Sequence, residues 1–372
     1  MKVTTEELQQ LKSRLPEHIP QEAIEKLLGM FPEGISFAMA ASLLENALRD
    51  LPEGLTADQI AEKVMEKMQS QKKAASVDSM GNSKKITRDY FDSLLLEMRL
   101  MGSVMPSTRA EYFGETFDTP IMTTALSHLG RFHPDLVSPM EMYAAGAKEA
   151  NALHWVGMCE NEEFGRIVEI GARTVRIIKP YADEEKIYDQ IRYAEEVGAI
   201  AVGMDIDHTF TQMGEIDVVM GELMEAKSLE TMKAYVDATG LPFVIKGVLS
   251  VSDAVKCAEI GAKAIVVSHH GGRLPYAVPP LMVLPDIAKA VGDEMQIFVD
   301  CGVISGMDAY KAMALGASGV GVGGHLIPEI REGGSAAVAA RIKSMTDELR
   351  GAMAYTGAAD CGSFDPSVLH RR

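Results

Sequence analysis

The strongest constraint on the fold of this chain is a rhythm. Eight short apolar runs, at 120–126, 152–157, 173–178, 200–206, 243–246, 264–268, 297–300 and 319–322, alternate with stretches of helical character. Brief runs rich in Val and Ile, separated by amphipathic helices, are the pattern of buried parallel strands joined by crossovers. The helical stretches include 184–197, 251–260 and 306–315. Each runs into the same punctuation, Glu196-Val197-Gly198-Ala199, Glu259-Ile260-Gly261-Ala262 and Ala314-Leu315-Gly316-Ala317, whose glycine suits a helix C-cap before the next strand. Eight such units predict an α/β fold, a (β/α)8 barrel over residues 119–353, with its chemistry at the carboxyl ends of the strands. A doubly wound open sheet is the weaker alternative, since no Gly-x-Gly-x-x-Gly follows the first run.

The region before the barrel reads differently. Residues 1–75 carry helical periodicity alone, with a helix start at Thr5-Glu6-Glu7, apolar spacing over 35–48 and 55–68, and Pro16, Pro20, Pro32 and Pro52 as breaks. This predicts a small all-helical N-terminal domain, followed over 76–118 by a linker and barrel lead-in; residues 354–372 are expected to form a C-terminal tail. The linker itself is placed between Ala74 and Lys84.

A chain of 372 residues that is 47% hydrophobic can bury a large core. Its formal charge of −17 repels nucleic acid and anionic membranes, so neither is expected as a partner. No apolar run approaches membrane-spanning length, and the first residues lack a signal-peptide pattern, so a cytoplasmic protein is expected. Cys159, Cys257, Cys301 and Cys361 show no metal-site or redox-pair spacing, and no metal is expected.

The ends of the later runs carry the chemistry. Ser268-His269-His270-Gly271-Gly272-Arg273 follows Ala264-Ile265-Val266-Val267 and sets a proton acceptor and a guanidinium just beyond a strand. Lys246 closes Phe243-Val244-Ile245 as a fixed cation. Asp205 and Asp207 end an earlier strand on the same face, and either can orient the histidine as a carboxylate does in a catalytic triad. His269 is expected to point away from His270. The turns Asp300-Cys301-Gly302 to Gly306 and Gly319 to His325 are glycine-rich where barrels commonly cradle a phosphate, after strands seven and eight.

Residues 240–330 resemble the flavin-dependent 2-hydroxy-acid oxidase and dehydrogenase family, which includes glycolate oxidase and lactate oxidase. The resemblance rests on Lys246-Gly247, the Ser268–Arg273 hexapeptide, Asp300-Cys301-Gly302 and Val322-Gly323; it weakens over 100–240 and is absent over 1–80. It implies FMN as cofactor, His270 as catalytic base, Arg273 as the clamp on a substrate carboxylate, Lys246 as the cation facing the flavin, and Asp207 as the histidine's partner. It further implies that Thr124, Arg176, Asp205, Ser268, Asp300, Gly302, Gly323 and Gly324 lie around the cofactor, Arg176 standing where the family has a glutamine. Two arginines that the family sets against the FMN phosphate are Ile304 and Gly324 here, and a second substrate arginine falls on Gly214.

The expected activity is therefore oxidation of a 2-hydroxy acid or related small carboxylate by an FMN-dependent homo-oligomer, with a tetramer among the options. A non-redox isomerase or lyase acting on a phosphorylated ligand, or a non-catalytic barrel with an interaction module, are the alternatives.

Overall fold

The computed structural model describes residues 81–131, 136 and 138–372, and in the first eighty residues 5–16, 18–29, 37, 41, 44, 47–48, 51–52, 54–61 and 63–64. Much of the helix expected over 35–48, the end of that expected over 55–68, and residues 74–80 of the expected linker lie outside the described residues. The chain separates into two compact units, one formed by 1–80 with 218–223, the other by 81–217 with 224–372.

In the smaller unit, helices Thr5–Arg14 and Gln21–Gly29 contribute Leu11, Ile24, Leu27 and Leu28 to an apolar cluster with Leu44, Leu48, Ile60 and Val64. This module has its own core.

The larger unit is the barrel. Its strands are β1 (Ile121–Thr123), β2 (His154–Val156), β3 (Thr174–Ile178), β4 (Ala201–Asp205), β5 (Phe243–Val248), β6 (Ala264–Val267), β7 (Gln296–Val299) and β8 (Gly319–Val322). They form one sheet in the order β1-β8-β7-β6-β5-β4-β3-β2, with parallel pairing throughout. The ring closes between β1 and β2 through a parallel bridge from Leu126 to Val156 and a hydrogen bond from Thr123 N to Leu153 O of 3.2 Å. Helices α1 (Pro139–Glu149), α2 (Asn161–Glu169), α3 (Glu184–Glu196), α4 (Leu229–Asp237), α5 (Val251–Glu259), α6 (Pro280–Val291), α7 (Gly306–Ala314) and α8 (Ile327–Thr356) connect or follow the strands. Gly198, Gly261 and Gly316, after α3, α5 and α7, take φ of +85°, +89° and +108°, the left-handed conformation that ends a helix.

Alternation along the strands assigns the faces. Met122, Trp155, Val175, Ile177, Ala201, Val244, Ala264, Val266 and Phe298 fill the barrel interior. The amino-terminal end is plugged by the hairpin Ala110–Tyr112 and Glu115–Phe117, where Tyr112 meets Phe298 edge-on at 5.1 Å and donates its hydroxyl proton to Ser318 O. Residues 82–84, placed at the end of the linker from sequence, instead open a helix: Asn82 caps Ser83–Ser93 by accepting from the backbone of Lys84 and Lys85. The C-terminal tail is knit in, since Leu369–Arg371 pairs antiparallel with Leu94–Leu96.

Candidate active site

Continuing the interior alternation beyond the last packed layer places Thr124, Lys179, Asp205, Lys246 and Asp300 at the carboxyl-terminal mouth. Among them Lys179, Asp205, Lys246 and Asp300 are each at most 6% exposed, so charges are gathered where water is scarce. Buried charges persist only when paired, and here they are: Lys179 Nζ lies 2.7 Å from Asp205 Oδ2, and Lys246 Nζ 3.5 Å from Asp300 Oδ2.

His270 stands in the middle of this network. Its Nδ1 lies 2.7 Å from Asp207 Oδ1, 3.3 Å from Asp205 Oδ2 and 3.4 Å from Lys246 Nζ. The backbone is bent to put it there. His270 has φ of +51°, a conformation that costs a non-glycine residue free energy and recurs at active sites. Gly247, at φ +95°, makes the bulge in β5 that lets Asp207 approach; a Cβ there would sit 2.7 Å from the Asp207 carboxyl carbon. Ser268 is behind the loop, accepting from His270 N at 3.0 Å.

The electrostatics follow from the geometry. Burial alone would depress His270, but the charge of Asp205 and hydrogen bonds to both aspartates outweigh it and raise its proton affinity above that of a free imidazole. Burial and then the Asp205 charge push Asp207 up to about 6. Asp205 is the reverse: burial opposes its ionisation, yet the charges of His270, Lys179 and Lys246 hold it well below the usual carboxylate range. Burial likewise opposes the Lys246 charge, and Asp300, Asp205 and Asp207 overcome that and raise it. His208, whose ring meets that of His270 edge-on at 4.5 Å, is depressed to about 3 by burial and by Lys179.

Beside this network opens a cavity of about 570 Å³, within the range of cofactor sites. Thr124, Lys246, His269, His270, Asp300, Gly302, Ile304, Gly323 and Gly324 line it, together with Lys84, Thr87 and Arg88 from helix Ser83–Ser93. The glycines leave room: a Cβ at Gly323 would meet Thr124 Oγ1 at 2.4 Å, and Gly324 faces open space.

Three of the residues expected around the cofactor, Arg176, Asp205 and Ser268, do not line the cavity. Arg176 is not at the mouth. It sits on the outward face of β3, where its guanidinium donates to Asn161 Oδ1 and to the carbonyls of Cys159 and Gln190, because the inward residues of that strand are Val175 and Ile177. Carried one step further, the same alternation makes Lys179 the mouth residue of β3, a position that motif matching passes over. Arg273 is near the site but engaged, donating to Asp217 Oδ2 and to Phe210 O, and it does not line the cavity. His269 lines it, with Nε2 2.7 Å from Thr87 Oγ1.

The chain matches the model of the FMN-dependent dehydrogenase family over residues 61–227 and 211–371. It belongs to that family. The family's 4-hydroxymandelate oxidase of Amycolatopsis orientalis is 28% identical over 294 residues, covering 69% of this chain and 81% of that protein. Glycolate oxidase 3 of Arabidopsis thaliana is 28% identical over 306 residues, covering 73% and 83%. An L-lactate oxidase of Nostoc sp. is 36% identical over 169 residues, which span 45% of this chain and less than half, 46%, of that protein. Among solved structures, mandelate oxidase superposes with a TM-score of 0.70 at 26% identity, over 79% of this chain and 91% of that one. A mandelate oxidase variant holding a monooxide FMN adduct gives a TM-score of 0.70 at 27% identity, over 81% and 98%. The barrel and the family relationship read from sequence are both confirmed.

The residues of this family member fit its cofactor. The glycine turns border the cavity, His269 Nδ1 is buried there with no partner among the described residues, and Lys246 and Lys84 bring positive charge to the wall. Ile304 and Gly324 bring none, and the Arg88 charge is already met by Asp308 and Asp92.

Proposed function

We propose that the protein is an FMN-dependent oxidoreductase that oxidises a 2-hydroxy acid or related small carboxylate, with His270 as the base. One observation carries this: His270, held through Nδ1 by Asp207 at 2.7 Å, borders the same cavity as Lys246 and both glycine turns. With the Nδ1 proton directed at Asp207, Nε2 is the nitrogen that takes the substrate proton. Asp205 and Asp207 then stabilise the imidazolium that forms. FMN, when bound, supplies the acceptor for the two electrons that leave the substrate carbon as alcohol becomes carbonyl. Thr124, Lys246, Gly302, Gly323 and Gly324 would hold it, with Asp300 fixing Lys246 and Ser268 shaping the loop. Arg273, on the same loop as His270, is the guanidinium for the substrate carboxylate, and it takes that role by exchanging Asp217 for the substrate.

Four free cysteines support a cytoplasmic location. The exposed apolar side chains of Leu95, Met98, Leu100, Met101 and Met105 support a homo-oligomer. The separate core of the helical module supports a division from the barrel near residue 75.

The test is anaerobic mixing of FMN-loaded protein with lactate, glycolate and mandelate. Bleaching of the flavin absorbance that depends on His270 is expected. Failure to bind FMN at high excess, or bleaching unchanged in His270→Ala, would overturn the proposal.

A further inference from the structure

Lys179 and Asp205 form an ion pair that adjoins the catalytic histidine without lining the cavity, and nothing in the chemistry above uses Lys179. One side-chain nitrogen or oxygen from each of Asp205, Asp207, His208 and His270 lies within 4.8 Å of the others. Two carboxylates so close need positive charge beside them, and the fold brings one cation from the end of β3: Lys179 Nζ, 2.7 Å from Asp205 Oδ2, with a side chain 7% exposed. Asp205 offers that one oxygen to both Lys179 and His270, while its Oδ1 is buried with no partner among the described residues. The pair is a buried one in which moving either charge changes what the imidazole feels.

We propose that the Lys179–Asp205 pair is a positioning device for the base. Asp205 is a second carboxylate acting on His270 beside Asp207, and Lys179 is the built-in counter-ion that sets how much of its charge reaches the ring. The proposal rests on His270 being the base. The two aspartates then act differently on one ring, Asp207 orienting Nδ1 through the shorter hydrogen bond and Asp205 supplying the charge. Other groups face His270 as well: Lys246 from β5, Asp300 and Cys301 after β7, His208 and Asp217 from the segment after β4, His269 and Arg273 from its own loop, and Lys84 across Gly271. These stay constant across the variants below, so the shifts isolate the pair.

The sign is fixed by electrostatics. Removing an anion near an imidazole lowers its proton affinity, and removing a cation raises it. The measurement is a pH titration of the histidine Cε1 resonances in the FMN-loaded full chain, with His270 identified among the nine histidines by its loss in His270→Gln. Asp205→Asn should lower the His270 pKa by about one unit or more, Lys179→Met should raise it, and the double variant should fall between them. Lys179→Arg keeps the charge and should stay within about 0.3 unit of wild type. Should Lys179→Met fail to fold, the comparison of Asp205→Asn with the double variant decides, since adding Lys179→Met to Asp205→Asn must still raise the value.

Both single variants moving the same way, or neither moving by more than about 0.3 unit, would overturn the proposal, because a purely structural ion pair loses stability without opposite titration shifts. The pH limb of flavin reduction should follow the same displacements. Opposite NMR shifts with no reduction by any 2-hydroxy acid would sink the proposed function and leave the pair's action on His270 standing; reduction without the shifts would do the reverse.

Discussion

The mouth of the barrel has two unlike halves. At the ends of β3 to β6 the wall is made of charges, with Lys179, Asp205, Asp207, Lys246 and His270 locked into one network. At and after the ends of β7, β8 and β1 it is largely backbone and small side chains: Gly302, Gly321, Gly323, Gly324 and Thr124. In the proposed reaction the first half moves protons, which needs side chains whose affinities are set by neighbours. The second half is proposed to accept a bulky group, which needs the absence of side chains. Asp300 and Lys246 join the two, and helix Ser83–Ser93 reaches across with Thr87 on His269 and Arg88 on Gly302 O.

The largest effect should come from the charged half. His270→Ala should slow flavin reduction by roughly 10²–10⁴-fold, the usual contribution of a general base. In the wild type that rate should climb with pH through a value above that of an ordinary histidine, because the raised His270 must lose its proton to act. Stopped-flow absorbance across pH measures both, and a rate that falls over the same range would break the assignment.

An intermediate effect belongs to Arg273. Arg273→Ala should weaken a carboxylate inhibitor by roughly 10- to 100-fold, the contribution of a charge-assisted pair of about 1.5–3 kcal/mol. Asp217→Asn should tighten the same inhibitor several-fold by releasing the guanidinium from its present partner. Isothermal titration with a 2-oxo acid distinguishes this from a purely structural Arg273–Asp217 pair, which would give weaker binding in both variants.

Much of this was legible in the sequence because two simple periodicities govern it. The eight strands fall where short apolar runs stood, and Gly198, Gly261 and Gly316 mark helix ends as their spacing implied. His270, Asp207 and Lys246 converge because consecutive strand ends of a barrel are neighbours. The failures have physical causes. Arg176 was placed by motif, and one residue of register in a strand moves a side chain to the opposite face; counting inward from Val175 and Ile177 would have found Lys179. Thr87 and Arg88 were out of reach, since the separations of 182 and 214 residues to His269 and Gly302 leave no local signal. Arg273's engagement by Asp217 depends on the path of a loop, which no periodicity encodes.

The division of the mouth is tested most directly by measuring two quantities on two variants: the FMN dissociation constant by fluorescence quenching, and the rate constant of flavin reduction at saturating FMN. His270→Gln should lose the rate by about 10²-fold or more while keeping FMN affinity within about twofold of wild type. Gly323→Ala, whose new Cβ would collide with Thr124 Oγ1 at 2.4 Å, should instead weaken FMN several-fold and leave most of the rate once the site is filled. If His270→Gln loses FMN as severely as it loses the rate, the two halves are one structure, and the separation of proton chemistry from cofactor cradle is wrong.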